Sequence, residues 1–181
     1  CMATLCFSRV DTVSDFDNFD CGNESINRLV KNSLYPTLLD QTRAYKVSIK
    51  DYRVGFIALS ISHISCENSD ASFAGFFDKD PLYGAILVDY IAVDKKIHQK
   101  GVGSTALEYI VEETRKINLF APIRFVILDA LRSKYEWYTK RGFLPLNSTD
   151  ITGCSETIRM YLDIMTADRK QRLSSYVKEQ I

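Results

Sequence analysis

One stretch constrains this chain more than any other: Val88-Asp89-Tyr90-Ile91-Ala92-Val93-Asp94-Lys95-Lys96-Ile97-His98-Gln99-Lys100-Gly101-Val102-Gly103-Ser104. Its opening residues are almost continuously apolar, broken by Asp89, which is the pattern of a central strand covered on both faces. A basic loop with glycines at 101 and 103 follows, and a helix is expected from Gly103 or Ser104. Strand, glycine loop and helix together gather main-chain N–H groups, the positive end of a helix dipole and nearby lysines around one point, and that combination binds phosphate. Glycine lets the main chain approach such a ligand because no Cβ stands in the way. Two nucleotide-binding patterns are excluded. There is no G-x-x-x-x-G-K-[ST], and Gly101-Val102-Gly103 runs into Ser104, Thr105 and Ala106 where a dinucleotide fingerprint needs a further glycine. The competing reading of this segment alone is a plain strand-to-helix turn.

Composition sets the frame around that stretch. The chain has 181 residues, room for one well-packed domain, read as residues 1–165 with residues 166–181 as a helix appended to it. Apolar residues at 46% and charged residues at 25% are values from which a core can be built. Lys and Arg number 23 against 23 Asp and Glu, so no global field draws the chain to nucleic acid or anionic lipid. The five cysteines form no CxxC pair and no close-set framework, which fits a reducing cytoplasm, and no apolar run reaches the length of a membrane span.

The remaining periodicities indicate an α+β chain with one central sheet. Thr4–Val10 reads as a strand. Ile26, Leu29, Val30 and Leu34 form one stripe on a short helix that Pro36 is expected to stop. Ala44–Ile49 and Val54–Ile64 read as a hairpin across polar Lys50–Arg53. Residues 66–83, with three phenylalanines among turn formers, are expected to be a loop that lines a site. Leu107, Ile110, Val111 and Ile117 mark the amphipathic helix after the glycine loop. Arg124–Asp129 is the next strand, and Ser133-Lys134-Tyr135-Glu136 has the form of a capping box opening a short helix. Phe143–Leu146 and Thr157–Asp163 are expected to pair antiparallel. Leu173, Val177 and Ile181, four apart, predict an amphipathic helix over Thr166–Ile181.

With these elements in place, the chain resembles the GNAT superfamily of acetyl-CoA-dependent N-acetyltransferases over most of its length. His98-Gln99-Lys100-Gly101-Val102-Gly103 matches that superfamily's Gln/Arg-x-x-Gly-x-Gly/Ala loop, with His98 where Arg or Gln is usual. Trp137-Tyr138-Thr139-Lys140-Arg141-Gly142-Phe143 resembles its F-Y-x-x-x-G-F segment. Phe19-Asp20-Cys21-Gly22-Asn23-Glu24-Ser25-Ile26-Asn27-Arg28-Leu29 resembles the F-D-C-G-x-x-x-L-N-x-x-L opening of a bacterial subgroup that includes toxins of toxin–antitoxin pairs acting on charged tRNA. Val54–Ser60, Ile127–Ala130 and Arg159–Leu162 also look like that subgroup.

The resemblance implies a GNAT fold, a mixed and mostly antiparallel sheet flanked by helices, and direct attack of a primary amine on the thioester of acetyl-CoA in a ternary complex. It implies that main-chain donors at Ile91, Ala92 and Val93 hold the pantetheine, and that Gln99, Lys100, Gly101, Val102, Gly103 and Ser104 hold the pyrophosphate, with His98 weighed between a phosphate contact and an exposed loop residue without a role. Tyr138 is the candidate general acid for the thiolate, against a reading as a stacking aromatic, and Asp89 the candidate base, against a reading as an ion-paired carboxylate. Lys140 and Arg141 are weighed between the adenosine 3′-phosphate and a solvated helix end. His63 is read as structural or as lying near the acceptor, and Cys21 and Cys66 as buried. No metal-ligand spacing is present, and no metal is expected. The acceptor is a small-molecule, protein or aminoacyl amine. Arg28, Lys31, Arg43, Lys46 and Arg53 form a candidate patch for tRNA. An antitoxin protein and a second copy of the chain are the other partners considered, and no membrane is among them. A non-catalytic CoA-binding or partner module is the rival class.

Overall fold

The computed structural model describes residues 4–65 and 82–180. Its strands are β1 (Leu5–Arg9), β2 (Thr42–Ile49), β3 (Tyr52–Ser65), β4 (Leu82–Val93), β5 (Ile123–Leu131), β6 (Leu144–Pro145) and β7 (Thr157–Asp163). Its helices are α1 (Glu24–Asn32), α2 (Leu34–Leu38), α3 (Val102–Ile117), α4 (Tyr135–Thr139), α5 (Thr149–Thr152) and α6 (Ala167–Gln180). The strands form one sheet in the order β1-β2-β3-β4-β5-β7-β6, and the expected α+β class is what is observed. The expected loop over residues 66–83 lies outside the described residues up to Pro81; Leu82 and Tyr83 already belong to β4. Two compact units emerge, residues 1–61 with 86–114, and residues 62–85 with 115–181.

In the first unit β1, β2 and β3 pair antiparallel as a meander, and the Ile49↔Tyr52 register leaves Lys50 and Asp51 as the turn, with Lys50 at φ 54°. The pattern of β-branched and aromatic residues puts Phe56, Ala58, Tyr90 and Ala92 into one core with Val10, Phe16, Phe19, Cys21 and Val30. The Phe16 and Phe19 rings lie 5.1 and 4.9 Å from that of Phe56. Gly55 is there because β3 and β4 approach closely: a Cβ would run into the Ala92 carbonyl. Asn23 opens α1 by accepting the Ile26 N–H at 3.0 Å.

Two expectations about this region need correction. Pro36 does not stop the helix carrying the stripe. α1 has already ended at Asn32, and Pro36 sits in the first turn of α2, where its missing N–H would have had no intrahelical partner. Leu34 therefore belongs to α2, and Leu29, read as core-facing, is half exposed at 50%.

In the second unit β5 and β7 pair from Phe125↔Asp163 to Leu131↔Thr157, and β6 adds Leu144 opposite Tyr161, as the expected antiparallel closure requires. Fully buried Phe125, Phe143, Ile158 and Met160 fill the unit's interior. The capping box at Ser133 and Glu136 does not form. Residues Arg132–Lys134 instead make a 3-10 turn, Lys134 precedes α4, and no side chain caps it. Local turn geometry outcompetes the box because Arg132 is pinned elsewhere, donating to the carbonyls of Asp150, Ile151 and Ser155 and closing the short α5. The C-terminal helix runs from Ala167, tied back by Lys170 to Asp163 and by Arg169 to Asn118. Its Leu173 is 37% exposed, and Ile181 lies outside the described residues.

Candidate active site

The Val88–Ser104 segment folds as its pattern demands. β4 ends at Val93, a 3-10 turn spans Lys95–Ile97, and α3 begins at Val102, one residue before the expected start. Gln99 at φ 64° and Gly101 at φ 81° bend the loop into the helix. At Gly101 nothing lies within 4 Å of where a Cβ would be, so the loop presents bare backbone to open space. The first turn of α3 carries no carboxylate, and α3 runs sixteen residues, long enough for its dipole to matter at that end. This fits a diphosphate: bare loop backbone at Gly101, the positive end of a helix, and Lys96 and Lys100 exposed alongside.

His98 is exposed in the loop, and its ring has a local partner. Its Nε2 lies 2.9 Å from the Val93 carbonyl oxygen. A carbonyl can only accept, so Nε2 carries the proton and the imidazole is turned back onto the end of β4, leaving its main chain for the ligand.

Asp89 lies on β4 and is half-buried. Its Oδ1 accepts from Ser60 Oγ on the neighbouring strand β3 at 3.0 Å, and its buried Oδ2 has no hydrogen-bond partner among the described residues. Burial raises its pKa above the ordinary value, and the Ser60 bond opposes this only in part. No ion pair forms at Asp89 among the described residues. The sequence alone does not single out Ser60; it reaches Asp89 only because β3 and β4 are neighbours in the sheet.

Tyr138 stands on α4 in the second unit. Its ring meets Trp137 edge-on at 4.7 Å and 88°, and Phe143 at 5.7 Å and 69°. Burial pushes its phenol up to about 12, with Arg141 opposing, so it stays protonated at neutral pH. Arg141 is committed locally: its guanidinium lies 3.7 Å over the Trp137 ring and donates to the Trp137 carbonyl at 2.8 Å. Lys140 is exposed at the helix end. His63, Ile64, Ser65, Ile127, Leu146, Asn147 and Arg159 line a cleft of about 240 Å³ in this same unit, so His63 faces a cavity.

The remaining candidates divide cleanly. Cys21 is buried as expected, whereas Cys66 lies outside the described residues. The proposed basic patch is not an open field: Arg28 pairs with Glu24, Arg43 with Asp40, Lys46 with Asp15, and Arg53 donates to the Asp15 carbonyl. Four of the five positive groups thus meet a local acceptor, and Lys31 is exposed on α1. Among the described residues no cluster of metal ligands occurs, and no helix is long and apolar enough to cross a membrane.

No family model and no curated protein matches this sequence. Solved structures do. A bacterial toxin is 20% identical, with 97% of this chain and 96% of the other covered and a TM-score of 0.71. A mutant of the protein KacT is 16% identical over 95% and 98%, with a TM-score of 0.73. AtaT in complex with acetyl-methionyl-tRNAfMet is 17% identical over 94% and 99%, with a TM-score of 0.71. Over nearly its whole length the chain shares with these structures the mixed, mostly antiparallel sheet flanked by helices that its sequence leads us to expect.

Proposed function

We propose that the chain is an acetyl-CoA-dependent N-acetyltransferase, and that its acceptor is the amino group of an aminoacyl-tRNA. The observation that carries the first part is the β4–loop–α3 segment, with open backbone at Gly101 and a carboxylate-free helix start, inside a fold shared over 96% of the chain with the toxin AtaT in a structure that contains acetyl-CoA. The second part rests on AtaT, whose structure with acetyl-methionyl-tRNAfMet is similar to this chain over 94% of its residues. An antitoxin protein is the matching partner, since AtaT is also known bound to the C-terminus of the antitoxin AtaR.

In this reading acetyl-CoA supplies a thioester as the acetyl donor, and the chain's own groups do the rest. Main-chain N–H groups at 91–93 hold the pantetheine arm, and those at 98–104 the diphosphate. Asp89, kept basic enough by burial, takes the proton that the attacking amine loses as the new C–N bond forms. Tyr138 gives its proton to the sulfur as the C–S bond breaks and is reprotonated from solvent, so the products are the amide and the free thiol. A phenol held near 12 is a poor acid toward water but a usable donor to a thiolate that would otherwise leave bare.

The test is thiol release from acetyl-CoA by the purified chain supplied with charged tRNA. Thiol release, with acetyl recovered on the amino acid of the tRNA, is the expected result. Release with simple amines but not with charged tRNA would keep the enzyme and remove the acceptor; no release with either would remove both.

A further inference from the structure

The sequence block Phe19–Leu29 has no chemistry of its own in the scheme above, yet the structure gives it a definite mechanical connection. Asp20 Oδ1 accepts from the Gly22 N–H at 2.7 Å and from Asn27 Nδ2 at 2.8 Å, and Asp20 Oδ2 meets Lys95 Nζ at 2.6 Å. The Asp20 carbonyl accepts from the Lys95 N–H at 2.9 Å, so one residue grips Lys95 by main chain and side chain together. Asn27, on α1, closes the arrangement by accepting from the Cys21 N–H at 2.9 Å. Gly22, at φ 80°, brings the turn so close that its Cβ would sit 3.7 Å from that of Lys95. The bonds from Lys95, Asn27 and Gly22 hold the Asp20 carboxyl far below the usual carboxylate range, so it is charged throughout the working pH range.

Lys95 opens the 3-10 turn that leads straight into the glycine loop. That turn is fixed from two further sides, by Asp94 N–H to the Val54 carbonyl at 2.9 Å and by Lys96 N–H to Asp94 Oδ1 at 3.0 Å. We infer that Asp20, braced by Asn27, is a positioning residue that sets the geometry of the 98–104 loop through Lys95, and thereby the affinity for the diphosphate of CoA. The inference rests on the acetyl-CoA reading given under Proposed function. The ion pair is largely solvent-exposed, so its share in global stability is small. Its effect belongs to loop geometry, where a charge-assisted bond fixes direction as well as distance.

The experiment is titration calorimetry of the full chain with CoA, with melting temperature recorded for each variant and steady-state kinetics alongside. The wild type is expected to bind. Asp20→Asn and Lys95→Met should each weaken binding about three- to tenfold, with kcat at saturating acetyl-CoA nearly unchanged. The double variant should bind no worse than either single one, because both break the same link. Lys95→Arg should bind like the wild type. Unchanged or tighter binding by Asp20→Asn, or additive losses in the double variant, overturns the inference, since Lys95 would then act on phosphate by itself or not at all. A lower melting temperature with unchanged CoA affinity overturns it equally, as a structural role only. If Asp20→Asn fails to fold, Lys95→Met and Lys95→Arg carry the test. If the wild type does not bind CoA, the acetyl-CoA reading falls, and this inference with it; binding by the wild type with no change in any variant removes the inference alone.

Discussion

The two regions assigned to chemistry are built from opposite materials. The glycine loop and its support are held by hydrogen bonds and charge: Asp20 to Lys95, Asp94 to Val54, His98 to Val93. The Tyr138 region is held by ring packing: Trp137 and Phe143 edge-on to Tyr138, Arg141 spread over Trp137. A loop made of main-chain donors can change side chains and still work, provided its direction is kept. A phenol seated among rings has no such freedom, because its position comes from the shapes around it. Substitutions should therefore trade stability for affinity differently in the two places.

The largest expected effect is in the aromatic region. Phe143→Ala removes a fully buried ring and should cost about 3–5 kcal/mol in chemical denaturation; a loss under 1 kcal/mol would mean that rings do not build this region. Next, Tyr138→Phe keeps the packing and deletes the hydroxyl, so kcat should fall roughly 100-fold with CoA affinity unchanged. Equal turnover would leave Tyr138 as a packing residue.

The loop should respond more mildly. Gly101→Ala meets no neighbour but must hold φ near 81°, a strain of about 1 kcal/mol, and calorimetry should show CoA binding weakened about fivefold. Wild-type affinity there would mean that the loop does not need this bend. The smallest change, and one of opposite sign, concerns Asp89. Burial raises its folded-state pKa above the ordinary 3.8. Its charge therefore costs nothing below that value and destabilises the fold progressively as pH rises through the raised one. Asp89→Asn should lift the melting temperature at pH 7 by about 2 °C while abolishing the acid limb of the pH–rate profile. A lower melting temperature, or an unchanged profile, would restore the structural reading of this carboxylate.

The same contrast decides how much of the molecule is legible in its sequence. The strand–loop–helix was legible because each part is local: apolar run, glycines, helix period. The aromatic block was legible as a motif, but its edge-on geometry was not, since ring angles depend on Phe143 arriving through β6. Pro36 misled because proline ends a helix by one rule and opens one by another, and only the break at Ser33 decides between them. The capping box fails for a similar reason: Ser133 and Glu136 have the right spacing, but Arg132 is anchored to Asp150 and Ile151 of α5, 18 and 19 residues on, by bonds no local pattern announces. Ser60 beside Asp89, and Lys95 beside Asp20, are contacts of register and topology, written in pairs of distant residues.

The most direct measurement is a crystal structure of the full chain with acetyl-CoA. The diphosphate should rest on the main-chain N–H groups of residues 99–104, with the thioester sulfur within hydrogen-bonding reach of the Tyr138 hydroxyl. Density for the ligand away from this loop, or a Tyr138 ring directed away from the sulfur, would contradict the assignment.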